Sequence, residues 1–253
     1  MYETLHTDGK TKGKINYTVW SDVFVCPDCT QEVVFWEAAV DKAAGKVHDV
    51  FPCPHCGAQL TKRRMERAWV TRYDKAIGQT IRQAKQVPVL INYSVGKHRF
   101  EKTPDAFDLA LIAKIDELDI PYWFPTDRMM EGGETRRNDP IGITHVHHFY
   151  TKRSLWVLGA LYEKAFKSRH KLNVFFVQYA ALGFSKLSRY VPTHFSQVNQ
   201  YLSGTLYIGS QQVEVSPDYI LAGKLQRLVK HEAPRFGKIK VASIGCCDSS
   251  VFP

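Results

Sequence analysis

Three stretches of the chain carry apolar residues at the three- and four-residue spacing of an amphipathic helix. Residues 103–105 (Thr-Pro-Asp) supply a capping hydroxyl, a proline at the first helical position and an acid near the helix's positive end. Residues 216–218 (Ser-Pro-Asp) repeat this order, and Thr151 can cap a third helix. The apolar positions expected to face a core are Phe107, Leu111, Ile112, Ile115, Leu118, Leu155, Leu158, Tyr162, Ala165, Leu221, Leu225 and Leu228.

Other segments lack this spacing and predict buried or extended structure. Residues 172–190 carry apolar side chains on all sides over their first half, which indicates a buried element. Residues 204–208 and 211–215 favour a hairpin across Gly209 and Ser210, and residues 238–244 favour another strand. Because helical patterns are interspersed with short strands, the sequence predicts a mixed α/β fold.

Four cysteines form two closely spaced pairs, Cys26-Pro-Asp-Cys29 and Cys53-Pro-His-Cys56. Each pair is typical of a tight knuckle whose two thiolates bind one side of a Zn²⁺ ion. The 23 residues between the pairs slightly exceed the usual spacing, but residues 32–40 favour a strand and residues 43–46 a turn. The sequence therefore predicts a zinc ribbon with an enlarged hairpin, the alternatives being free core cysteines or two disulfides. Cys246 and Cys247 have no second pair and are interpreted as packing residues.

No secretion signal is evident at the N-terminus, and no segment is apolar enough to span a membrane. The longest apolar stretch, residues 172–182, contains Asn173 and Gln178 and is shorter than the roughly 20 residues that cross a bilayer. We therefore expect a soluble, cytoplasmic protein without a membrane partner. Reducing conditions in that compartment favour metal thiolates over disulfides.

The chain has 253 residues, of which 44% are apolar, and can bury a core of one large or two smaller domains. Its formal charge of +9 is concentrated in residues 62–102, which carry eleven Lys or Arg against three acidic residues. The cations are Lys62, Arg63, Arg64, Arg67, Arg72, Lys75, Arg82, Lys85, Lys97, Arg99 and Lys102. The aromatic residues Trp69, Tyr73 and Tyr93 are interleaved with them.

Clustered cations that displace counterions, with aromatic faces for stacking on bases, predict a nucleic acid as the partner. A competing interpretation is that Lys62, Arg63 and Arg64 compensate the negative charge of a four-thiolate zinc site. Other cations could lie on a solvated helix face. About six phosphate contacts would give a log-log salt slope near −5 for duplex binding.

Residues 130–140 are polar and rich in turn formers, and this loop contains Arg136 and Arg137. The segment 141–150 follows with His145, His147 and His148. His145 and His147 would share one face of a strand, but no acidic residue lies among them to complete a metal site. Hydrogen-bonded core or surface histidines are therefore the favoured interpretation.

The segment Phe149-Tyr-Thr151-Lys-Arg153 resembles the Phe-x-Thr-x-Arg helix start of adenine-specific DNA methyltransferases of prokaryotes and phages. Residues 17–24 (Tyr-Thr-Val-Trp-Ser-Asp-Val-Phe), 185–189 (Ser-Lys-Leu-Ser-Arg) and 204–208 (Gly-Thr-Leu-Tyr-Ile) agree with the family's order. The resemblance implies S-adenosylmethionine as the cofactor of the full-length enzyme and an exocyclic base amine as the methyl acceptor.

The family's catalytic Asp-Pro-Pro-aromatic motif and a Gly-x-Gly turn for the methyl donor are both missing from this sequence. We therefore expect an internal or truncated portion of such an enzyme, inactive by itself and with no assigned catalytic residue. The remainder of the methyltransferase chain is a possible partner. A stand-alone, non-enzymatic zinc-ribbon module that binds nucleic acid is the alternative.

The expected architecture is a four-cysteine zinc ribbon inserted in or appended to a partial methyltransferase-like α/β domain. We expect a ribbon over residues 16–66, a basic helical region that engages DNA over 67–133, and the partial α/β region over 134–253. Cys26, Cys29, Cys53 and Cys56 are the expected metal ligands. The expected DNA contacts are Lys62, Arg63, Arg64, Arg67, Arg136 and Arg137.

Overall fold

The computed structural model describes residues 1–191, 198–199 and 204–236. Its strands are β1 (Glu3–Leu5), β2 (Lys12–Val25), β3 (Glu32–Val34), β4 (Val40–Asp41), β5 (Lys46–Val47), β6 (Val50–Pro52), β7 (Gln59–Thr61), β8 (Glu66–Arg67), β9 (Trp69–Asp74), β10 (Gln79–Ala84), β11 (Gln86–Val95), β12 (His98–Lys102), β13 (Ser188–Arg189), β14 (Val198–Asn199) and β15 (Gln211–Val215). The α-helices are α1 (Phe35–Ala39), α2 (Ala106–Glu117), α3 (Lys152–Lys167), α4 (Lys171–Phe184) and α5 (Pro217–Phe236), with 3₁₀ turns at Asp139–Ile141 and Val146–Phe149.

Strand β2 connects the main sheet to the cysteine-rich region, because its residues belong to both. The main sheet has the order β12-β11-β2-β15-β13-β14, and β1 also pairs with β2. The last three residues of β2, 23–25, pair with β3, while residues 24–25 also pair with β8. The predicted ribbon boundary at residue 16 therefore falls inside a continuous strand.

Helices α3, α4 and α5 cover the apolar side of this sheet. Val19 of β2 and Val213 of β15 pack with Leu158 of α3, Phe176 of α4 and Leu221 of α5 in one buried cluster. β-branched and aromatic residues dominate β2, which suits a pleated surface covered by helices. The helices and sheet together confirm the mixed α/β class that the sequence predicts.

The three predicted helix starts are all present, although one begins later than expected. Thr151 caps α3 by accepting a hydrogen bond from the backbone N–H of Ser154 at 3.2 Å, and α5 begins at Pro217. Helix α2 is capped by Asp105, two residues after Thr103, because Asp105 and Asp108 form a reciprocal capping box. The cap thus depends on the Asp108 side chain.

The predicted inward faces of two helices are partly wrong. Phe107 of α2 is 40% exposed, whereas Asp108 is buried and accepts a hydrogen bond from Thr4 Oγ1 at 2.5 Å. In α4, a stripe of three residues faces solvent: Leu172, Phe175 and Tyr179. The expectation that α4 is buried on all sides is therefore wrong, because the sheet covers only one of its faces.

Two strand predictions have different outcomes. Residues 211–215 form β15 as predicted, but residues 205–209 are irregular, and β15 pairs with β2 and β13. The predicted strand at 238–244 and the packing roles of Cys246 and Cys247 lie outside the described residues.

The basic region predicted as helical over 67–133 contains more strand than helix. Strands β9, β10, β11 and β12 occupy its first half, and α2 is the α-helix within it. The physical reason is a period-two pattern rich in Val, Thr, Ile and Tyr, which favours strands over a cationic helix.

All strand pairs among the described residues are antiparallel. Open α/β sheets that bind nucleotides are instead mostly parallel. The described fold is therefore a mixed helix and sheet structure in which four cysteines lie close together. None of the helices described here has the length and apolar character needed to span a bilayer.

Candidate metal centre and nucleic-acid interface

The two cysteine pairs form matching knuckles. In the first, the backbone N–H of Thr30 donates to the carbonyl of Cys26 at 2.9 Å; in the second, Gly57 donates to Cys53 at 2.9 Å. Thr30 and Gly57 occupy equivalent positions and both have positive φ, of 61° and 75°. Because a non-glycine residue rarely adopts this conformation, Thr30 indicates that the knuckle geometry is specified by surrounding contacts.

The four thiol groups converge on one point. Cys26 Sγ lies 3.9 Å from Cys56 Sγ, and Cys29 Sγ lies 3.8 Å from Cys53 Sγ. All four sulfur atoms lie within 4.8 Å of one another. A tetrahedron with Zn–S bonds of about 2.3 Å has sulfur atoms about 3.8 Å apart. The spacing is too long for disulfides, whose S–S distance is about 2.05 Å, and fits a single bound metal ion.

The residues around the two knuckles form a small core of their own. Phe24, Phe35, Phe51 and Leu60 pack against the buried pair Cys26 and Cys53. The predicted strand over 32–40 is only partly formed, since β3 covers Glu32–Val34 and the short helix α1 then covers Phe35–Ala39. This helix directs Phe35 and Ala39 into the core.

The chemistry of the four ligands fits a divalent cation. Four thiolates brought together without a cation would repel one another, which disfavours their charged forms. Soft sulfur ligands in a closed tetrahedral set are typical of structural zinc. The cysteines Cys26, Cys29, Cys53 and Cys56 are therefore positioned to bind a metal ion, consistent with structural zinc.

The turn that follows β7 presents three of the predicted DNA-contact residues. Arg63 and Arg64 are exposed, and Lys62 is half-buried with its ammonium 5.7 Å from the centre of the Phe35 ring. Arg64 Nη1 donates to the backbone carbonyl of Gln59 at 3.0 Å. Within the described residues, these three cations form no ion pair with a carboxylate. They therefore remain available to an anion.

Arg67, the fourth predicted contact in this region, contacts residues within the fold. Its guanidinium forms an ion pair with the buried carboxylate of Asp22 and lies 5.3 Å from the centre of the Phe24 ring. Gln86 Nε2 donates to the other oxygen of Asp22 at 3.0 Å. Arg67 therefore links β8 to β2. If Arg67 bound a phosphate, the buried carboxylate of Asp22 would lose its charge partner.

Arg136 and Arg137 lie in the polar loop, where both are engaged with neighbouring glutamates. Arg136 Nη1 is 3.4 Å from Glu131, and Arg137 Nη1 is 2.6 Å from Glu134. Exposed pairs of this kind contribute little stability and exchange easily with other anions. The structure thus places these two arginines at the surface with local carboxylate partners.

The histidine segment differs from its prediction in both shape and partners. It forms a 3₁₀ turn, Val146–Phe149, so His145 and His147 do not share a strand face. The carboxylate that the local sequence lacks comes from β9: Asp74 Oδ2 lies 2.9 Å from His147 Nε2 and 2.8 Å from His148 Nε2. Sequence reasoning missed Asp74 because it lies more than 70 residues away.

Hydrogen bonds fix the role of His148 in this cluster. Its Nδ1 accepts from the backbone N–H groups of Thr144 at 3.2 Å and His145 at 3.4 Å, so its proton lies on Nε2. That Nε2–H donates to Asp74 and has no lone pair for a metal. Burial lowers the pKa of His148 to about 4, against the opposing hydrogen bond with Asp74. Burial raises the pKa of Asp74, but hydrogen bonds from His147 and His148 outweigh it and hold the value at about 2.

A second group that sequence reasoning missed is the buried carboxylate of Glu214 in β15. Arg153 donates to it through Nε at 2.9 Å and Nη2 at 2.7 Å, which is a bidentate pair. Thr151 Oγ1 donates to Glu214 at 2.6 Å and Trp20 Nε1 donates at 2.9 Å. Thr151 is the helix cap expected of it, and Arg153 additionally joins α3 to the sheet.

Comparison of the chain with family models, curated proteins and solved structures gave no match. The candidate function therefore rests on the four-cysteine cluster, the adjoining cations and the sequence resemblance.

Proposed function

We propose that this chain is a zinc-stabilised module that binds DNA. The zinc ion would be held by Cys26, Cys29, Cys53 and Cys56, whose sulfur spacing suits a closed tetrahedral site. A structural ion in this position fixes the two knuckles and the strands that leave them. The DNA surface would begin directly after the second knuckle.

The observation that carries the DNA proposal is the turn containing Lys62, Arg63 and Arg64. These cations share a turn close to the metal centre, and within the described residues none is neutralised by a carboxylate. Clustered, unpaired cations release condensed counterions when they meet a phosphate backbone, which drives binding. Compensation of the four-thiolate charge would use the same residues, so the two interpretations must be separated experimentally.

A salt titration of duplex binding provides the test. The wild-type chain is expected to bind with a log-log salt slope of about −5, which corresponds to about six phosphate contacts. The variant K62Q/R63Q/R64Q is expected to lose about three contacts and give a slope of about −2.7. Fluorescence anisotropy with a labelled duplex measures both slopes.

A matched control removes the same charge elsewhere. Lys114, Lys164 and Lys167 are exposed on α2 and α3, and K114Q/K164Q/K167Q is expected to leave the slope close to the wild-type value. If the two triple variants change the salt slope equally, binding depends on overall charge and not on the turn at residues 62–64. A flat salt response of the wild-type chain would remove phosphate contact altogether.

We further propose, from the sequence resemblance, that this DNA-binding module belongs to an adenine-specific DNA methyltransferase. Two matched positions of the helix-start motif, Thr151 and Arg153, support this, since both are anchored to Glu214. Because this packing role requires particular side chains, the motif supports a scaffold shared with that family. The alternative is a stand-alone module that binds nucleic acid and catalyses nothing.

Binding of S-adenosylmethionine tests what this chain contributes to methyl transfer. We expect isothermal titration calorimetry to detect no binding, because the sequence has neither a Gly-x-Gly turn nor an Asp-Pro-Pro-aromatic motif. Micromolar binding of S-adenosylmethionine would contradict the proposal that this chain contributes only a scaffold. Sinefungin, an S-adenosylmethionine analogue, would serve as the second ligand in the same titration.

A further inference from the structure

Strands β9 and β10 form a separate two-stranded ribbon beside the main sheet. Six residue pairs join them, from Trp69 opposite Ala84 to Asp74 opposite Gln79. Six residues at about 3.4 Å each give an arm roughly 20 Å long. Because directly opposed residues share a face, the pairing assigns each side chain of this ribbon to one of two sides.

One side of the ribbon is anchored to the body of the protein. Asp74 accepts hydrogen bonds from His147 and His148, and the buried Gln83 donates from Nε2 to the carbonyl of Gly142 at 3.1 Å. Arg72 Nη2 donates to Gln83 Oε1 at 2.7 Å. Asp74 and Gln83 therefore attach this side of the ribbon to the body, and the histidine cluster forms part of that attachment.

Gly142 shows how closely the ribbon and the body approach each other. A Cβ atom at this position would lie 2.1 Å from the backbone carbonyl oxygen of Arg82, and the φ of Gly142 is +78°. Only glycine satisfies both constraints. The ribbon is therefore held against the body along β10.

The opposite side of the ribbon faces outward and carries a different set of residues. Arg82 is exposed, and its guanidinium carbon lies 4.4 Å from the centre of the Trp69 ring. Tyr73 is 63% exposed on the same side. The remaining outward residues are Thr71, Thr80 and Ala84. No acidic residue belongs to this face, so its cation, hydroxyl groups and aromatic rings are presented together.

Stacking on Trp69 restricts the orientation of the Arg82 guanidinium. An arginine held flat on an aromatic ring keeps its donor fork free at the edge and loses less side-chain freedom on binding. Within the described residues no carboxylate pairs with Arg82. A planar fork that is exposed and oriented matches the O6 and N7 acceptors of guanine in the major groove.

We propose that the outward face of the β9–β10 ribbon enters the major groove of duplex DNA and that Arg82 reads a guanine there. This inference rests on the DNA binding proposed above and assigns sequence readout to a surface distinct from the cations at residues 62–64. The major groove is about 12 Å wide and admits a two-stranded ribbon. Thr71 and Thr80 supply hydroxyl groups that hydrogen-bond to base edges or phosphates.

The test compares Arg82→Lys with the wild-type chain on a duplex selected by the wild type from a randomised library. Lysine keeps the charge but lacks the bidentate fork, so the salt slope should stay unchanged. The preference for the selected duplex over its shuffled counterpart should fall about ten-fold or more. Arg99→Lys is the matched control, because Arg99 is an exposed strand arginine 5.6 Å from the Tyr219 ring.

The possible outcomes separate this inference from the broader proposal. If the wild type binds with a steep salt slope but selects no sequence, base readout is wrong while DNA binding stands. If Arg82→Lys keeps the full preference for the selected duplex and its urea unfolding midpoint is unchanged, the assignment of guanine readout to Arg82 is wrong. If the chain binds single-stranded DNA more strongly than the duplex, and Tyr73→Ala abolishes this binding, base stacking replaces groove entry as the explanation. Without salt-dependent binding, both proposals fail.

Discussion

Removal of zinc, or the substitution Cys26→Ser, is expected to unfold residues 26–66 while β2 stays paired in the main sheet. This segment has only a small core around Phe35, Phe51 and Leu60. Domains of about 40 residues usually require a metal, disulfides or a partner to fold. Structural zinc contributes on the order of 10 kcal/mol to apparent folding free energy, which is comparable to the total stability of a domain.

Hydrogen exchange measured by mass spectrometry distinguishes local from global unfolding. After chelation, amides in 26–66 should exchange rapidly, whereas residues 14–22 should stay protected by their pairing with β11 and β15. His55→Gln is the matched control: His55 lies inside the second knuckle, but its Nε2 is 2.9 Å from the carbonyl of Glu32. This variant should retain the metal.

Metal analysis of the purified chain should find one zinc ion. Protein prepared without chelators that is metal-free yet fully protected over 26–66 would contradict the zinc proposal. Two ions per chain would assign a second metal to Asp74, His147 and His148, against the tautomer that the hydrogen bonds of His148 require.

The features that could be predicted from the sequence are those with a local cause. The knuckles follow from cysteine spacing and need only a few residues each. The starts of α3 and α5 follow from Thr151 and Pro217, whose effects extend over a single turn. The mixed helix and sheet class follows from residue periodicity.

The features that were missed depend on residues far apart in the chain. Arg67 and Asp22 are 45 positions apart, and His148 and Asp74 are 74 apart. A count of charges identifies a cationic segment but does not tell which cations meet a buried carboxylate. The sequence therefore groups Arg67 with Lys62, Arg63 and Arg64, whereas the fold pairs Arg67 with Asp22.

In the basic segment, residues 62–102, the high content of cations obscures the period-two pattern that predicts strands. Eleven cations in residues 62–102 suggested a solvated helix, yet the segment Gln86–Val95 contains three valines, Leu90 and Ile91 and forms a central strand. The two faces of the β9–β10 ribbon depend on the pairing register, which sequence periodicity does not specify.

Replacing Arg153 with methionine is expected to destabilise the protein by about 3 to 5 kcal/mol. The substitution would leave Glu214 buried with its charge unpaired, because both residues are almost fully buried. Burial raises the pKa of Glu214, but the charge of Arg153 outweighs it and holds the pKa below its ordinary value. The pair therefore stabilises the fold above about pH 4.5, and the contribution is lost as pH falls through the lowered pKa.

The network around this pair explains why its loss should be global. Arg153 Nη1 donates to the carbonyl of Met1 at 3.1 Å, and its guanidinium carbon lies 4.3 Å from the centre of the Tyr2 ring. Arg153 Nη2 also lies 3.3 Å from Thr18 Oγ1. The start of the chain, β2, α3 and β15 thus meet at one ion pair, and urea unfolding at pH 7 should report the loss in a single transition.

A double-mutant cycle separates the pair from simple packing. Glu214→Leu alone should also cost several kcal/mol, since it leaves Arg153 unpaired, whereas R153M/E214L should cost less than the two single variants combined. The exposed pair of Lys167 and Glu163 provides the control, and Lys167→Met should change stability by about 0.5 kcal/mol or less. If the two buried substitutions are simply additive, the pair is not coupled. If Arg153→Met unfolds the chain outright, Arg153→Lys, which keeps the charge without the bidentate geometry, should give a smaller, measurable loss.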